Sequence, residues 1–474
     1  MNDSNIKSEL LKLLCENREN DIVCKDLNGN IIDTKTFAQK VIDLSKWLRD
    51  NSKEQIIVCE NNSIELLLLY FAAIFSNKTV IPLDPEKKED EKNLIRKIHS
   101  DASYFDVGEI TKIVTNIVSY EEGCLNWEEV DFDRLYLITY TSGSTGQPKG
   151  VKHSLYNLLY SAYEFGKSME YGIDTVLGHC MPMTYMAGIL NTIFIPFLMG
   201  GTIVILPRFS ALNSFTFWKD VENGNVNTLW LSPTMLRLAS IMDKRGNMRE
   251  YFKNCNMKIS VGTSPLDIKL RNEFEAKYSI RLYQSYGLSE TLFITTESLC
   301  EEVSNHTVGK LLPSVELFFT PVEEIYINVP WMFLGYTNTD TSEYMQDGMY
   351  KSGDLGNFIG DNLVITGRCK ELIVKGGYNI NPHDIENEII GGLECQECAV
   401  ISVSLHGEEV IIAVVGTDAD IQLKDINKKI IHSLGEHYRV DYLEKLKSLP
   451  KNLNGKIDKI KIKKDMEEKY GTKD

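Results

Sequence analysis

Two rhythms of apolar and polar positions alternate along most of this chain. "QIIVCE" (55–60) has the unbroken apolar centre of a strand buried on both faces, and "SIELLLLYFAAIFS" (63–76) is apolar all round, as a buried helix would be. "KTVIPLDP" (78–85) then reads as a second strand ending in a proline-bounded turn, which completes a βαβ rhythm. "RLYLITY" (134–140) predicts a strand feeding a glycine-rich stretch, with a helix over "SLYNLLYSAYEFG" (154–166). Strand followed by turn recurs at "GTIVILP" (201–207), "TLWLSP" (228–233) and "MKISVGTSPL" (257–266). From about 308 to 366 the strands shorten and glycine turns multiply ("EEIYINVP", "NLVITG"), the texture of a β subdomain. Beyond 371 comes a compact set: a helix at "PHDIENEIIGG", strands at "ECAVISVSL" and "EVIIAVVG", and a helix at "LKDINKKIIHSLG".

These elements predict an α/β fold: a large N-terminal domain of two βαβ-rich subdomains plus a β subdomain, and a small α+β C-terminal domain. The cut falls near Arg368 to Glu371, giving domains 1–369 and 370–474. At 474 residues the chain is too long for a single core. Its net charge of −16 argues against nucleic acid as a main partner, because phosphate backbones want a cationic face. The longest greasy run, Ile64 to Phe75, is too short to span a bilayer and carries Glu65, and the N-terminus is charged, so a cytoplasmic address is expected. Of ten cysteines only Cys395 and Cys398 have the spacing of a metal or redox pair, with no second pair to accompany them. A structural role in a reducing environment is expected for them.

The most unusual stretch is "TYTSGSTGQPKGV" (139–151). Gly143, Gly146 and Gly150 let backbone N–H groups turn toward an anion, and Thr141, Ser142, Ser144 and Thr145 add hydroxyls. Lys149 adds a full positive charge, and the helix from about Ser154 a nearby dipole end. A polyphosphate is the natural ligand. The spacing does not fit G-x-x-x-x-G-K-[ST], so the mechanics of P-loop NTPases do not carry over.

In order along the chain, six further segments accompany this loop: "VIPLDP", "MPMTYMAGI" (181–189), "YQSYGLSET" (283–291), "MYKSGDLG" (349–356), "GRCKELIVKGGYNINPHDIE" (367–386) and "LPKNLNGKIDKI" (449–460). Together they resemble the adenylate-forming superfamily of acyl-CoA synthetases, peptide-synthetase adenylation domains and luciferases, from about residue 35 to 460. The resemblance implies two half-reactions: a carboxylate attacks the α-phosphorus of ATP and releases pyrophosphate, then a thiol takes the acyl group from the acyl-AMP. It implies ATP and Mg²⁺ as cofactors and CoA, or the phosphopantetheine of an acyl or peptidyl carrier protein, as acceptor.

Carried over by motif, Thr141, Ser142, Gly143, Ser144, Thr145, Gly146 and Lys149 would hold the phosphates, and Glu290 the Mg²⁺. Gly262, Thr263 and Ser264 would pass backbone along the adenine, with Tyr286, Gly287 and Ser289 beside it. Asp354 would bind both ribose hydroxyls, with Arg368 as a nearby donor. Lys456 would neutralise charge between the attacking carboxylate and the α-phosphate. Lys370 is the implied hinge about which the C-terminal domain turns between half-reactions, and Gly376 and Gly377 would let a pantetheine arm pass.

The acyl pocket departs from the family. Thr184-Tyr185 replaces an aromatic-histidine pair, so Tyr185 takes the gating position with Met186, Ala187, Gly188 and Val261 along the walls. No acidic residue occurs from Pro182 to Ile195 to meet an α-ammonium group, which favours a carboxylic acid without one. Two other readings remain: a stand-alone enzyme loading an amino or aryl acid onto a carrier protein, and a catalytically silent nucleotide-binding module. Retention of Lys149, Glu290, Asp354, Arg368 and Lys456 together speaks against the silent module.

Overall fold

The computed structural model describes residues 3–16, 21–117, 123–141, 148–243, 248–300, 307–375, 377–392, 395, 397–405, 408–451 and 457–470. The chain forms two compact units, one of residues 1–316 and 327–350, the other of 317–326 and 351–474. By compactness, 317–326 and 351–369 go with the C-terminal unit. The expected boundary between 369 and 370 is thus a different division from that of the compact units, and turning about Lys370 belongs to the proposal below.

The first unit holds two sheets. In the smaller, the strands lie in the order Ser103–Phe105, Gln55–Cys59, Thr79–Leu83, Leu135–Thr141 and Lys149–Ser154. The first four run parallel and the last is antiparallel. In the larger, Ile22–Asp26, Thr202–Ile205, Val176–His179, Thr228–Leu231, Lys258–Val261 and Leu282–Leu288 run parallel in that order, with antiparallel Ile31–Asp33 before them and antiparallel Leu292–Thr296, then Lys310–Leu311, after them. The helix Ile64–Phe75 is buried along nearly its whole length, and Ser63 caps it by accepting from the Leu66 N–H. Its Phe71 packs with Phe37, Phe194 and Phe197, so the all-round apolar pattern is a core signature.

The helix expected from about Ser154 forms, at Leu155–Ser168 with Ser154 as its cap, but its distance from the glycine-rich loop is corrected. The sequence reading ran the glycine loop almost directly into a helix near Ser154. The chain instead makes a six-residue strand, Lys149–Ser154, before the helix Leu155–Ser168 begins. That strand holds the helix dipole roughly 20 Å beyond the loop, too far to help bind its anion. Lys-Gly-Val-Lys-His-Ser alternates well enough to be a strand, but it is too short and polar to declare itself.

In the second unit, 351–359 pairs antiparallel with Asn362–Arg368, and Ile373–Lys375 with Tyr378–Ile380. A three-stranded sheet of Glu397–Leu405, Glu408–Gly416 and Tyr442–Leu446 is apolar on both faces. Cys398, Val400, Ile411 and Ala413 share one core with Ile385 and Ile426 of two helices, Pro382–Gly392 and Leu423–Leu434. Ala399, Ile401, Val403 and Ile412 share the other with Ile462 and Met466 of the helix Lys459–Tyr470. Cys395 and Cys398 are buried in the first core, where desolvation pushes both thiols up. Among the described residues no helix is long and apolar enough to cross a membrane.

Candidate functional site

The glycine-rich loop connects the two strands of a hairpin in which Thr141 stands opposite Lys149. The strand Lys149–Ser154 is flanked on its other side by 334–337: Thr337 N–H donates to Gly150 O at 2.8 Å, Lys152 N–H to Gly335 O at 3.1 Å and Leu334 N–H to Lys152 O at 2.7 Å. Asn338 ties the same edge, donating to Pro148 O at 2.8 Å and accepting from Gly150 N–H at 3.2 Å. The root of the loop is thus held from both sides. A Cβ at Gly150 would stand 2.9 Å from the Thr337 hydroxyl and 3.0 Å from the Tyr140 ring, so glycine is needed there for close approach. Ser142, Gly143, Ser144, Thr145 and Gly146 lie outside the described residues.

Lys149 is only 7% exposed. Its ammonium donates to the Tyr344 hydroxyl and stands 4.0 Å from the centre of that ring and 5.4 Å from the Tyr336 ring. Among the described residues no carboxylate pairs with it. Glu290 sits in the turn between strands Leu282–Leu288 and Leu292–Thr296, half-buried, with its Oε1 accepting from the Tyr336 hydroxyl at 2.6 Å. Tyr336 also meets the Tyr350 hydroxyl at 3.1 Å. Burial and the neighbouring Glu290 charge hold the Tyr336 phenol far above its ordinary range, so it stays a donor.

The turn is anchored from behind. His153, fully buried, donates Nε2–H to Ser289 O at 2.7 Å, and Phe333 N–H donates to Glu290 O at 3.0 Å. Desolvation lowers the His153 imidazole to about 4, so it is neutral near pH 7. A Cβ at Gly287 would lie 2.1 Å from Leu292 O, which requires glycine at that tight crossing. Tyr286 is half-buried on the same strand. Gly262 follows the strand Lys258–Val261, and a Cβ there would meet the Trp230 ring at 2.8 Å. Thr263 next to it holds φ +71°, a strained left-handed conformation for a β-branched residue, and Ser264 is half-buried.

In the acyl-pocket segment, Asn62 holds the backbone at two points, donating to Met181 O at 2.6 Å and accepting from Met183 N–H at 2.8 Å. The Tyr70 hydroxyl donates to Met183 O at 2.6 Å. Tyr185 is half-buried, while Met186, Ala187, Gly188 and Val261 are buried. At Gly188 a Cβ would sit 1.9 Å from Pro182 O, so this glycine serves backbone contact.

In the second unit, Asp354 lies opposite Arg368, whose Nε is 2.9 Å from Asp354 Oδ1. The carboxylate is buried, but the guanidinium side chain is 60% exposed. Gly353, at φ +71°, turns the chain so that Ser352 can accept from Asp354 N–H at 3.0 Å. Lys370 is exposed in the short turn Cys369–Glu371, and Gly377 takes φ +82° at the tip of the following hairpin. Neighbouring Glu371 meets Lys459 at 2.7 Å, and Lys459 also meets Glu386 at 2.9 Å. Gly376 and Lys456 lie outside the described residues. The motifs did not flag Asn62, His153, Tyr336, Tyr344 or Lys459. Their link to the site is spatial, and a single sequence carries little trace of it.

The profile of the AMP-binding enzyme family matches residues 15–337. The chain belongs to that family. Among curated relatives of this AMP-binding enzyme, malonate–CoA ligase of Arabidopsis thaliana is 27% identical over 75% of this chain and 66% of its own length. Bacitracin synthase 3 of Bacillus licheniformis is 25% identical over 90% of this chain and 7% of its own length. The matched region thus spans just under two thirds of the plant ligase and a small part of the bacterial synthase. The solved structure of ATP-bound MatB from Rhodopseudomonas palustris superposes with a TM-score of 0.85, covering 98% of this chain and 99% of that one at 21% identity. The expected α/β fold and adenylate-forming architecture are therefore borne out.

Proposed function

We propose that the protein is an ATP-dependent acid–thiol ligase. A carboxylate oxygen bonds to the α-phosphorus as pyrophosphate leaves. A thiol then attacks the acyl carbon, its proton is released and AMP departs. The observation that carries this reading is the buried Lys149 ammonium, met by a phenol and ring faces instead of a carboxylate, two contacts away from Glu290 through Tyr336. A cation desolvated without a neutralising partner is suited to a polyphosphate. A half-buried carboxylate near it suits Mg²⁺, which would share the phosphate charge and take its other ligands from phosphate and water. Lys149 with Thr141 and the loop 142–146 would bind the phosphates, Asp354 and Arg368 the ribose, and Gly262 to Ser264 with Tyr286 the base. Lys456 would act at the α-phosphate, and turning about Lys370 would bring Gly376 and Gly377 to the pantetheine arm.

The substrate is proposed to be a small carboxylic acid without an α-amino group. Malonate, the acid named for the plant relative, is the first to try. CoA is the first acceptor. A carrier-protein thiol is the second reading, favoured by the extent of the match to bacitracin synthase 3.

Acid-dependent ATP–pyrophosphate exchange across short-chain, dicarboxylic, aryl and amino acids tests the proposal. At least one acid should support exchange, and Lys456→Ala should lower it roughly a hundred- to a thousandfold while sparing thioester formation from supplied acyl-AMP. Absence of exchange with every acid would end this reading.

A further inference from the structure

Lys149 and Glu290 carry opposite charges in one region of the first unit, yet no ion pair joins them. Tyr336 stands between the two. Its ring centre is 5.4 Å from the Lys149 ammonium, and its hydroxyl is 2.6 Å from Glu290 Oε1. The phenol cannot easily swing away. Its backbone is bridged to Val151, its N–H donates to the Thr341 hydroxyl at 2.9 Å, and Phe333 and Tyr344 abut its ring edge-on at 4.9 and 5.2 Å. Tyr350 takes up the remaining side of the hydroxyl at 3.1 Å. On the other side Lys149 is drawn toward Tyr344. Among the described residues no hydrogen bond or ion pair holds the second carboxylate oxygen, Glu290 Oε2, and the residue is half-buried.

We propose that Tyr336 is a positioning residue that fixes the Glu290 carboxylate for a divalent cation, its ring standing between that carboxylate and Lys149. Without such a spacer, an ammonium and a carboxylate brought into contact in a poorly solvated site would neutralise each other, closing the phosphate site and the metal site together. With it, both charges stay committed to groups weaker than the nucleotide's phosphates and the metal ion that would displace them. This inference rests on the proposed ATP-dependent activity, and its test is chosen to fail separately from it.

The test titrates ATP binding with Mg²⁺, by calorimetry or nucleotide fluorescence, with no acid present, and compares wild type with Tyr336→Phe and Tyr344→Phe. Tyr336→Phe keeps the ring and removes the donor. It should raise the Mg²⁺ concentration for half-maximal ATP binding roughly tenfold, the worth of a hydrogen bond to a charged group, and leave ATP binding in EDTA within about threefold. Tyr344→Phe, which changes the partner of Lys149 and not that of Glu290, should leave the Mg²⁺ midpoint within about twofold. An unchanged midpoint in Tyr336→Phe overturns the positioning role. Equal weakening with and without Mg²⁺ overturns it too, since that marks lost packing. Failure of the wild type to bind ATP at all defeats the proposed activity and not this geometry.

Discussion

Two buried cations lie at opposite ends of one hairpin and are treated in opposite ways. At the open end, Arg271 is gripped by carboxylates: Glu297 at 2.7 and 2.6 Å and Glu275 at 3.1 Å, with Leu282 O at 2.7 Å completing the set. At the turn end, beside Glu290, Lys149 is met by a phenol and two aromatic faces. Both side chains are almost out of solvent. The difference shows what each charge is for. Burial opposes the charge on Arg271, but Glu297 and Glu275 outweigh it and raise its pKa, leaving a saturated cluster with nothing to offer a ligand. Among the described residues no carboxylate neutralises the buried Lys149, so its field remains to be used by an incoming anion.

Breaking each site should expose that difference. Arg271→Ala leaves Glu297 buried and unpaired, and it should cost about 3–5 kcal/mol of stability in urea unfolding. Replacing both partners with apolar residues of similar volume should recover most of that loss. Lys149→Met should do the reverse. Stability should stay within about 1 kcal/mol of wild type, while pyrophosphate exchange falls roughly a hundred- to a thousandfold. If Lys149→Met unfolds the protein as readily as Arg271→Ala, the distinction between the two cations collapses.

The sequence exposed one of these cations and hid the other. Lys149 stood in a loop whose glycines and hydroxyls advertise an anion site. Arg271 sits in the helix Ile268–Tyr278, and its partner Glu297 comes 26 positions later, just past the strand Leu292–Thr296. The legible strands and helices are those whose burial on both faces leaves long apolar runs: Gln55–Cys59, Ile64–Phe75 and Glu397–Leu405 appear where the pattern put them. The strand Lys149–Ser154 was missed because its pairing, not its composition, makes it a strand. The same limit applies to the supports of the site. Tyr336 matters through a phenol that reaches a carboxylate 46 positions earlier, and nothing local in "FLGYTN" marks that contact.

The anchor behind the Glu290 turn gives the comparison a pH axis. His153 in a free chain titrates near 6.5, but in the fold desolvation holds it at about 4. Below pH 6.5 the unfolded chain therefore takes up a proton that the folded chain refuses. Its stabilising contribution is complete above pH 6.5 and declines as pH falls toward 4, by about 3 kcal/mol in all. His179, buried and lowered to about 3, adds a loss of the same sign. Urea unfolding at several pH values should show that decline, and His153→Gln should flatten it. A His153→Gln variant with an unchanged pH slope would remove the imidazole from the account.

The smallest expected effect belongs to a cation of a third kind. Arg368 is paired with the buried Asp354, yet its own side chain is 60% exposed. It is neither locked like Arg271 nor left unneutralised like Lys149. Solvent screens the guanidinium side of this pair, so Arg368→Ala should cost less stability than Arg271→Ala, although it too leaves a buried carboxylate behind. Its effect should appear in recognition of the sugar. If Asp354 accepts from the ribose hydroxyls and Arg368 steadies that carboxylate, the variant should lose several-fold of its preference for ATP over 2′-deoxy-ATP in pyrophosphate exchange, roughly one hydrogen bond's worth. A large fall in stability with the preference unchanged would instead make Arg368 a second Arg271, holding a strand pair together and having no part in reading the nucleotide.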